Sequence, residues 1–559
     1  MQLQKWINKH NLPNILSSLE YDYEQDKYRP NQSSREVKSG HYVLVHPTPI
    51  MNPLLLHYSH NLIQKLHIPS SFFNESPILD FLSGNTKSFT KKTWATPYAL
   101  SIYGQEMISN CPFGTGNGYG DGRAISIGVF YVNRKQYEFQ LKGAGKTPFC
   151  RSGDGKAVMR SSIREYLASE AMASMGVQTT RALSLIISKT EKVLRSSFKK
   201  NGENKQNTVA IVCRVSGSFF RVGHLELFSR RTRKKNNRFE LKQLKQLFLH
   251  IAERDYPDVY ESNMPMDSLI LEFLKACSIS FSKLVAKWMS VGYVQSNMNS
   301  DNCSISGKTI DYGPFGFLDV YDRYKNFWVD SGEHFSYINQ PKAMAKNFET
   351  LCHSLLPLLT EKSHAKLSIM NLIQEFPTIC QDHVNIMWRK KLGFQSLDWS
   401  TEICPLFHKL EQLLQKSNVD WTMFWRELSW YPAEEEKRSL EKRHSVKSAF
   451  YDKSKYDEFQ GEWTQWLEKW MNLLKKENRN PLLVTKQMWR ESPKYVPKEW
   501  MLSKAVDDAK NGNYKTIGEL YQLFSTPFTN QPKMNAKWYK LTPSTQLNKD
   551  GIKSMTCSS

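Results

Sequence analysis

Five glycines in nine residues, Gly114, Gly116, Gly118, Gly120 and Gly122, crowd the stretch CPFGTGNGYGDGR, and the segments just beyond them narrow the folds open to the chain. A glycine-rich loop that opens a helix belongs to a dinucleotide-binding βαβ unit. Here the loop runs instead into two alternating apolar segments, residues 124–132 and 138–141, separated by polar residues 133–136. A loop that feeds a β-meander argues against that unit. Without Cβ atoms, the backbone N–H groups of the loop can approach phosphate oxygens, and Arg123 adds a fixed cation. An ordinary glycine-rich turn has the same composition, so the loop alone leaves both readings open.

Three further features carry chemistry. Lys142 stands at the end of the second segment in FQLKGAG, and Glu165 lies within residues 161–174, where serines precede apolar residues at helical spacing. That pattern predicts a helix with a serine N-cap. A strand lysine held by a helix carboxylate is how protein kinases orient a cation onto nucleotide phosphates. The island NMNSDNCSISGKTIDYGPFGF supplies Asp301 and Asn302, then Asp311 at the head of an Asp-Tyr-Gly turn. Mg²⁺ takes a carboxylate with an amide or a second carboxylate beside phosphates, and a carboxylate left off the metal can accept a hydroxyl proton. Arg214 and Arg221 flank SGSFF after a strand, and guanidinium groups match phosphate geometry bidentately. Solvated surface residues and turn-forming Asx residues are the plain alternatives for each feature taken singly.

Their order says more. Glycine loop, strand lysine, helix carboxylate, paired strands, helical half, Asp-Asn and Asp-x-Gly succeed one another as in a two-lobed protein kinase. The fold class expected is α+β. Two departures stand out: Asp301 and Asn302 adjoin, where kinases separate the catalytic Asp from the metal-binding Asn, and no His-Arg precedes Asp301.

Composition limits the alternatives. With 559 residues, 40% of them hydrophobic, the chain has enough apolar surface for several domains. Its 76 Lys and Arg against 54 Asp and Glu give +22, which makes an anionic partner plausible, yet the charge is spread and no aromatic-basic module accompanies it. No nucleic-acid or membrane partner is expected, and no apolar run reaches transmembrane length. Nine scattered cysteines, never at C-x-x-C spacing, fit a reducing compartment. The cytoplasm is expected, with the mitochondrion as alternative.

The segments GDGRA (120–124), QLKGAGKTPF (140–149), SGDGKAVMRSSIREYLASEAM (152–172), RVGHLELF (221–228) and SDNCSISGKTIDYGPFGFLD (300–319) closely resemble SelO, the selenoprotein O or YdiU-like protein adenylyltransferases. HPTP (46–49), SPKYVPKEWML (492–502) and the final Cys-Ser-Ser extend the similarity over essentially the whole chain. The resemblance implies a kinase-like fold that binds ATP in a flipped orientation and transfers AMP to Ser, Thr or Tyr hydroxyls of proteins, with Mg²⁺, or Mn²⁺, as cofactor. By motif, Gly120, Gly122 and Arg123 would contact the nucleotide. Lys142 would bind phosphate and pair with Glu165, and Asp154 and Gly155 would contribute from the small lobe. Arg214 and Arg221 would reach the displaced phosphates, Asn302 and Asp311 would hold the metal, and Asp301 would be the catalytic base. Cys557 occupies a position that is selenocysteine in some members; lacking a partner at Ser554, it would pair with a distant thiol such as Cys277 or Cys352. One departure concerns the segment before GDGRA, where Ser109 to Gly114 replace a Gly-His-Gln-Phe-Gly sequence.

The expected organisation is an N-terminal segment (1–95) with one or two helices, a small lobe (96–228), a mainly helical large lobe (229–432) and a helical C-terminal extension (433–559), as a monomer. The basic run 229–238 is expected as a linker or a solvated helix start. A kinase-like phosphotransferase and an inactive nucleotide-binding scaffold are the competing functions.

Overall fold

The computed structural model describes residues 2–12, 15–90, 92–98, 111–114, 122–150, 153–196, 204–233, 237–329, 331–361, 363–436, 445–547 and 555. Gly120 and Cys557 lie outside the described residues, as do Gly116 and Gly118.

The chain is mixed α and β, with an eight-stranded sheet in its first half and helices through the second. The strands are β1 (Val43–Leu44), β2 (Pro53–Tyr58), β3 (Trp94–Ala95), β4 (Ala124–Val132), β5 (Lys135–Lys142), β6 (Ala157–Val158), β7 (Arg181–Ser196) and β8 (Asn204–Ser216). They lie in the order β1-β3-β4-β5-β8-β7-β2, with β6 also on β8, and every pair is antiparallel. The β7–β8 ladder runs out to Ser196 opposite Asn204.

Both faces of the sheet are covered. Phe139 and Leu141 of β5 and Ile211, Cys213 and Val215 of β8 pack with Trp6, Ile63, Phe72 and Phe81 from the first ninety residues. Val212 and Ala210 of β8, on the opposite face, pack with Ile163, Leu167 and Ala171 of the helix Met159–Ser174. Double burial corrects the alternation expected for residues 124–132: β4 is buried along nearly its whole length. It also changes the expectation for the N-terminal segment. That segment holds three helices, Gln2–His10, His60–Lys65 and Ser76–Leu82, and contributes β1, β2 and β3 to the sheet.

Two local expectations are corrected. The helix expected from residue 161 starts at Met159, with Val158 at the N-cap and no side-chain cap; Ser161 Oγ donates to the Val158 carbonyl instead. The basic run from residue 229 is not a solvated linker at its start, because Ser229–Arg231 complete the helix Val222–Arg231. Arg231 is buried there and donates to the Val37 carbonyl at 2.5 Å.

The second half packs around the helix Met266–Ser290, flanked by Gln340–Leu355 and Ala365–Lys391. Residues 291–321 interrupt it, with a small β9–β10 pair (Tyr293–Val294 and Gly316–Phe317) and a 3₁₀ turn at Ser300–Asn302. Late in the chain, the helices Glu499–Lys510 and Lys515–Ser525 return to pack on Met159–Ser174. Among the described residues no helix is long and apolar enough to cross a membrane.

Candidate active site

Strand register places the first two cations. Lys142 of β5 is opposite Val212 of β8, and Gln140 is opposite Arg214, so Lys142 and Arg214 are diagonal neighbours on one face. Diagonal pairs of this kind lie within reach of long side chains. The helix Met159–Ser174 covers that face and sets Glu165 between them. Lys142 Nζ donates to Glu165 Oε2 at 2.7 Å and to Asp311 Oδ1 at 2.8 Å. Arg214 Nε donates to Glu165 Oε1, and its Nη2 to Asp311 Oδ1 at 2.7 Å. One quartet thus ties sheet, helix and Asp-Tyr-Gly turn together, and Arg214, buried within β8, is not the exposed hairpin arginine of the plain alternative.

Burial alone would raise the Asp311 carboxyl. The charges of Lys142 and Arg214, and then of Arg221, overcome it and hold Asp311 well below the usual carboxylate range. Burial works against the Arg214 guanidinium too, and Glu165 and Asp311 more than offset it.

Arg221 is only 2% exposed and stands at the N-cap of Val222–Arg231. The Arg221 N–H donates to His224 Nδ1 at 3.0 Å, and His224 Nε2 lies 2.9 Å from Thr96 Oγ1. Burial, then Arg221, keeps that imidazole neutral. The guanidinium stacks on Tyr98 at 3.7 Å, and its Nε and Nη1 are buried without a hydrogen-bond partner among the described residues. Buried donors left this way are costly unless a ligand takes them.

Asp301 is 4% exposed in the 3₁₀ turn beside the same helix start. Val222 N–H donates to the Cys303 carbonyl at 2.9 Å, and Ser300 Oγ donates to Glu226 Oε2 at 2.6 Å. Asn302, half-buried, is the next residue.

Of the glycines assigned by motif, Gly122 and Gly155 are described. A Cβ on Gly122 would fall 2.3 Å from Phe149 Cβ, and Gly122 N–H donates to the Phe149 carbonyl at 3.1 Å. Gly155 has φ +70°, and a Cβ there would lie 2.1 Å from the Gly145 oxygen. Both glycines thus have packing reasons of their own. Asp154 is held by Arg195 at 2.7 and 2.9 Å and accepts Lys156 N–H at 2.9 Å, so this carboxylate is bound away from the quartet. Arg123 Nη1 reaches the Lys156 carbonyl at 3.3 Å.

A divalent cation can be tested against these residues. Among the described residues no three His, Cys, Asp or Glu gather to hold a metal. Mg²⁺ on nucleotide phosphates needs only one or two protein ligands. Asp311 commits Oδ1 to Lys142 and Arg214, and a Cβ on Gly313 would lie 3.1 Å from Oδ2, so glycine keeps that oxygen uncrowded. A carboxylate with one oxygen committed to cations and the other approachable fits the role.

Cys557 lies outside the described residues, and the two thiols named as examples of a distant partner are both buried. Cys277 and Cys352 are fully buried in the helical half, and burial pushes both well above the usual thiol range.

Behind the turn lies a cluster that sequence reasoning missed. Arg164, fully buried, donates through Nε to both Glu499 oxygens at 3.1 Å, through Nη1 to the Gly313 carbonyl at 3.3 Å, and through Nη2 to the Phe315 carbonyl at 3.0 Å. Met555 Sδ lies 2.8 Å from the same Nη2. Lys498, next to Glu499, is ion-paired to Asp420 and lies 3.8 Å from Asp319. The signal was present: adjacent Lys498 and Glu499 in SPKYVPKEWML are charged residues in an apolar setting.

The sequence profile of protein adenylyltransferase SelO matches residues 24–525. Among curated proteins, the protein nucleotidyltransferase YdiU of Flavobacterium johnsoniae is 34% identical over 535 residues, covering 94% of this chain and 96% of its own. Those of Methylobacillus flagellatus (32% over 530 residues, 94% and 96%) and Tolumonas auensis (34% over 527 residues, 94% and 95%) are similar over the same extent. The match runs through the Lys142–Glu165–Arg214–Asp311 quartet and the Arg164–Glu499 pair alike: the chain belongs to the SelO family of protein adenylyltransferases.

Proposed function

We propose that this protein transfers AMP from ATP to hydroxyl side chains of other proteins, on a kinase-like scaffold and with Mg²⁺. The observation that carries this reading is the charge balance at Asp311. Three buried cations, Lys142, Arg214 and Arg221, act on one carboxylate, with Glu165 as the other acid of the quartet. A desolvated triphosphate needs such a surplus. Arg214 in β8 and Arg221 at the start of the next helix would draw the β- and γ-phosphates inward and leave the α-phosphorus towards the acceptor.

Asn302 and Asp311 would hold Mg²⁺, which neutralises phosphate charge when bound. In the transfer, the acceptor oxygen bonds to the α-phosphorus and its proton passes to Asp301. The bond to the bridging oxygen breaks, and pyrophosphate leaves with its charge held by Lys142, Arg214 and Arg221. Each fixed cation meets charge that grows on the leaving group, which is where preorganised donors act most strongly.

Incubation of the full chain and a protein acceptor with α-labelled or γ-labelled ATP tests the reading. Label from the α position alone is expected on protein. Label from the γ position would establish a phosphotransferase, and no label with nucleotide still bound would establish a scaffold.

A further inference from the structure

A cavity of about 660 Å³ opens at the end of β5 remote from Lys142. Lys135, one of its lining residues, is seven positions from Lys142 along the strand, about 23 Å at a rise of about 3.3 Å per residue. Six cations line it: Lys65, Arg134, Lys135, Arg181, Arg254 and Lys308. Two are neutralised from behind. Arg181 is held by Glu170 at 2.6 and 2.8 Å, and Arg254 by Glu138 at 2.6 Å and the Gly217 carbonyl at 2.9 Å.

The other four make no ion pair among the described residues. Exposed Glu253 on the lining and Asp255 near Lys308 are the carboxylates that face them, so cations outnumber acids two to one. Burial, with Arg254, Lys65 and Lys135, holds the Lys308 ammonium below its usual range despite Asp255. Burial, with Arg181 and Lys135, does the same to Lys65, against a weaker pull from Glu170. Like charges thus converge with too few counter-charges, an arrangement that an anion would relieve. Ser216, 6% exposed on the same lining, has a buried hydroxyl with no hydrogen-bond partner among the described residues.

We propose that this cavity is a second anion site, separate from the nucleotide site, which takes a small molecule bearing two or more phosphate groups. The volume is that of a small-molecule pocket. Arg254 and Lys308 are half-buried, deeper than Lys65, Arg134 and Lys135, which are exposed at the mouth. Phosphate groups arriving there meet mobile ammonium groups first and fixed guanidinium donors deeper in.

Inorganic tripolyphosphate is the probe. Calorimetric titration of the full chain carrying Lys142→Ala, which weakens the nucleotide site, is expected to give saturable one-to-one binding, with sodium sulfate of equal ionic strength giving none. Adding Lys65→Glu with Lys135→Glu, both on exposed side chains, should weaken binding at least about tenfold while the melting temperature holds. Lys308→Gln should weaken it as well, and Lys275→Glu, a charge reversal on a remote exposed helix position, should not. Absence of saturable binding, or equal losses from Lys275→Glu and from the cavity substitutions, would overturn the proposal.

Discussion

Lys142 has two carboxylate partners where its sequence context suggested one, and that changes what its loss should do. A strand-end lysine reserved for phosphate could be removed at little cost to the fold; one that is 8% exposed and bonded to Glu165 and Asp311 cannot. Lys142→Ala is expected to abolish transfer and to lower stability by about 2 kcal/mol, the worth of a hydrogen bond to a charged group, measured by denaturant unfolding. Asp311 has a depressed folded-state value, so the stability it contributes is present above its unfolded value, about pH 4, and is lost as pH falls below that. The gap between wild type and Lys142→Ala should therefore narrow as unfolding is monitored below about pH 4. The two aspartates should separate in calorimetry with Mg²⁺ and a non-hydrolysable nucleotide. Asp311→Ala is expected to lose binding, whereas Asp301→Ala keeps it and slows transfer by about 10²–10⁴-fold; equal affinity losses would refute that division. For Arg221, whose Nε and Nη1 have no hydrogen-bond partner among the described residues, Ala should weaken ATP and ADP far more than adenosine, and Lys should weaken ATP despite keeping the charge. A parallel fall in adenosine affinity would make the arginine structural. The Lys142–Glu165 pairing was legible because strand-end lysine and mid-helix glutamate are local patterns. The part played by Arg214 was not, because only the register with Gln140 puts it on the face of Lys142.

At the scale of elements, the sequence was most readable where burial is one-sided and least where it is double. Met266–Ser290 and Arg238–Asp255 lie in the large lobe expected to be mainly helical, and each sets its buried residues at helical spacing. The N-terminal segment gave little, because its short helices act as a cover for Phe139, Leu141 and Cys213, and short apolar clusters broken by prolines have no period to read. The serine-rich helix start misled for a related reason. With Val158 in β6 paired to Val209, the backbone turns into the helix directly from a strand, and Ser161 bonds backward to the Val158 carbonyl. Gly145 and Gly155 approach each other closely. Gly145 N–H donates to the Gly155 carbonyl at 3.2 Å, and Gly155 sits at φ +70° with the Gly145 oxygen in the space of a Cβ. Gly155→Ala is expected to destabilise by about 1–3 kcal/mol, visible as a lower melting temperature, with the Asp154–Arg195 pair intact. A melting temperature equal to wild type would show that the two loops can part.

Over the whole molecule, the connection that matters most joins residues no sequence pattern could pair. Arg164 and Glu499 are 335 positions apart, and their contact fixes the carbonyls of Gly313 and Phe315 just beyond Asp311. Each charge is visible in its own motif; that they meet is decided by the return of the late helices onto Met159–Ser174. Removing one partner of a buried pair leaves the other uncompensated. Glu499→Gln is therefore expected to lower stability by about 3 kcal/mol and to slow transfer at saturating ATP, though residue 499 touches no nucleotide. Denaturant unfolding and labelled-ATP transfer read the two effects, and wild-type behaviour in both would free the Asp-Tyr-Gly turn from this support. The same contact bears on how the enzyme is made. A ribosome releases Arg164 into the folding chain hundreds of residues before Glu499, and longer still before Met555, whose sulfur completes the cluster. Until residue 499 is made, Arg164 has the Gly313 and Phe315 carbonyls to bond but no carboxylate. Synthesis therefore has to pass the late helices before the turn beyond Asp311 gains the Glu499 carboxylate behind it.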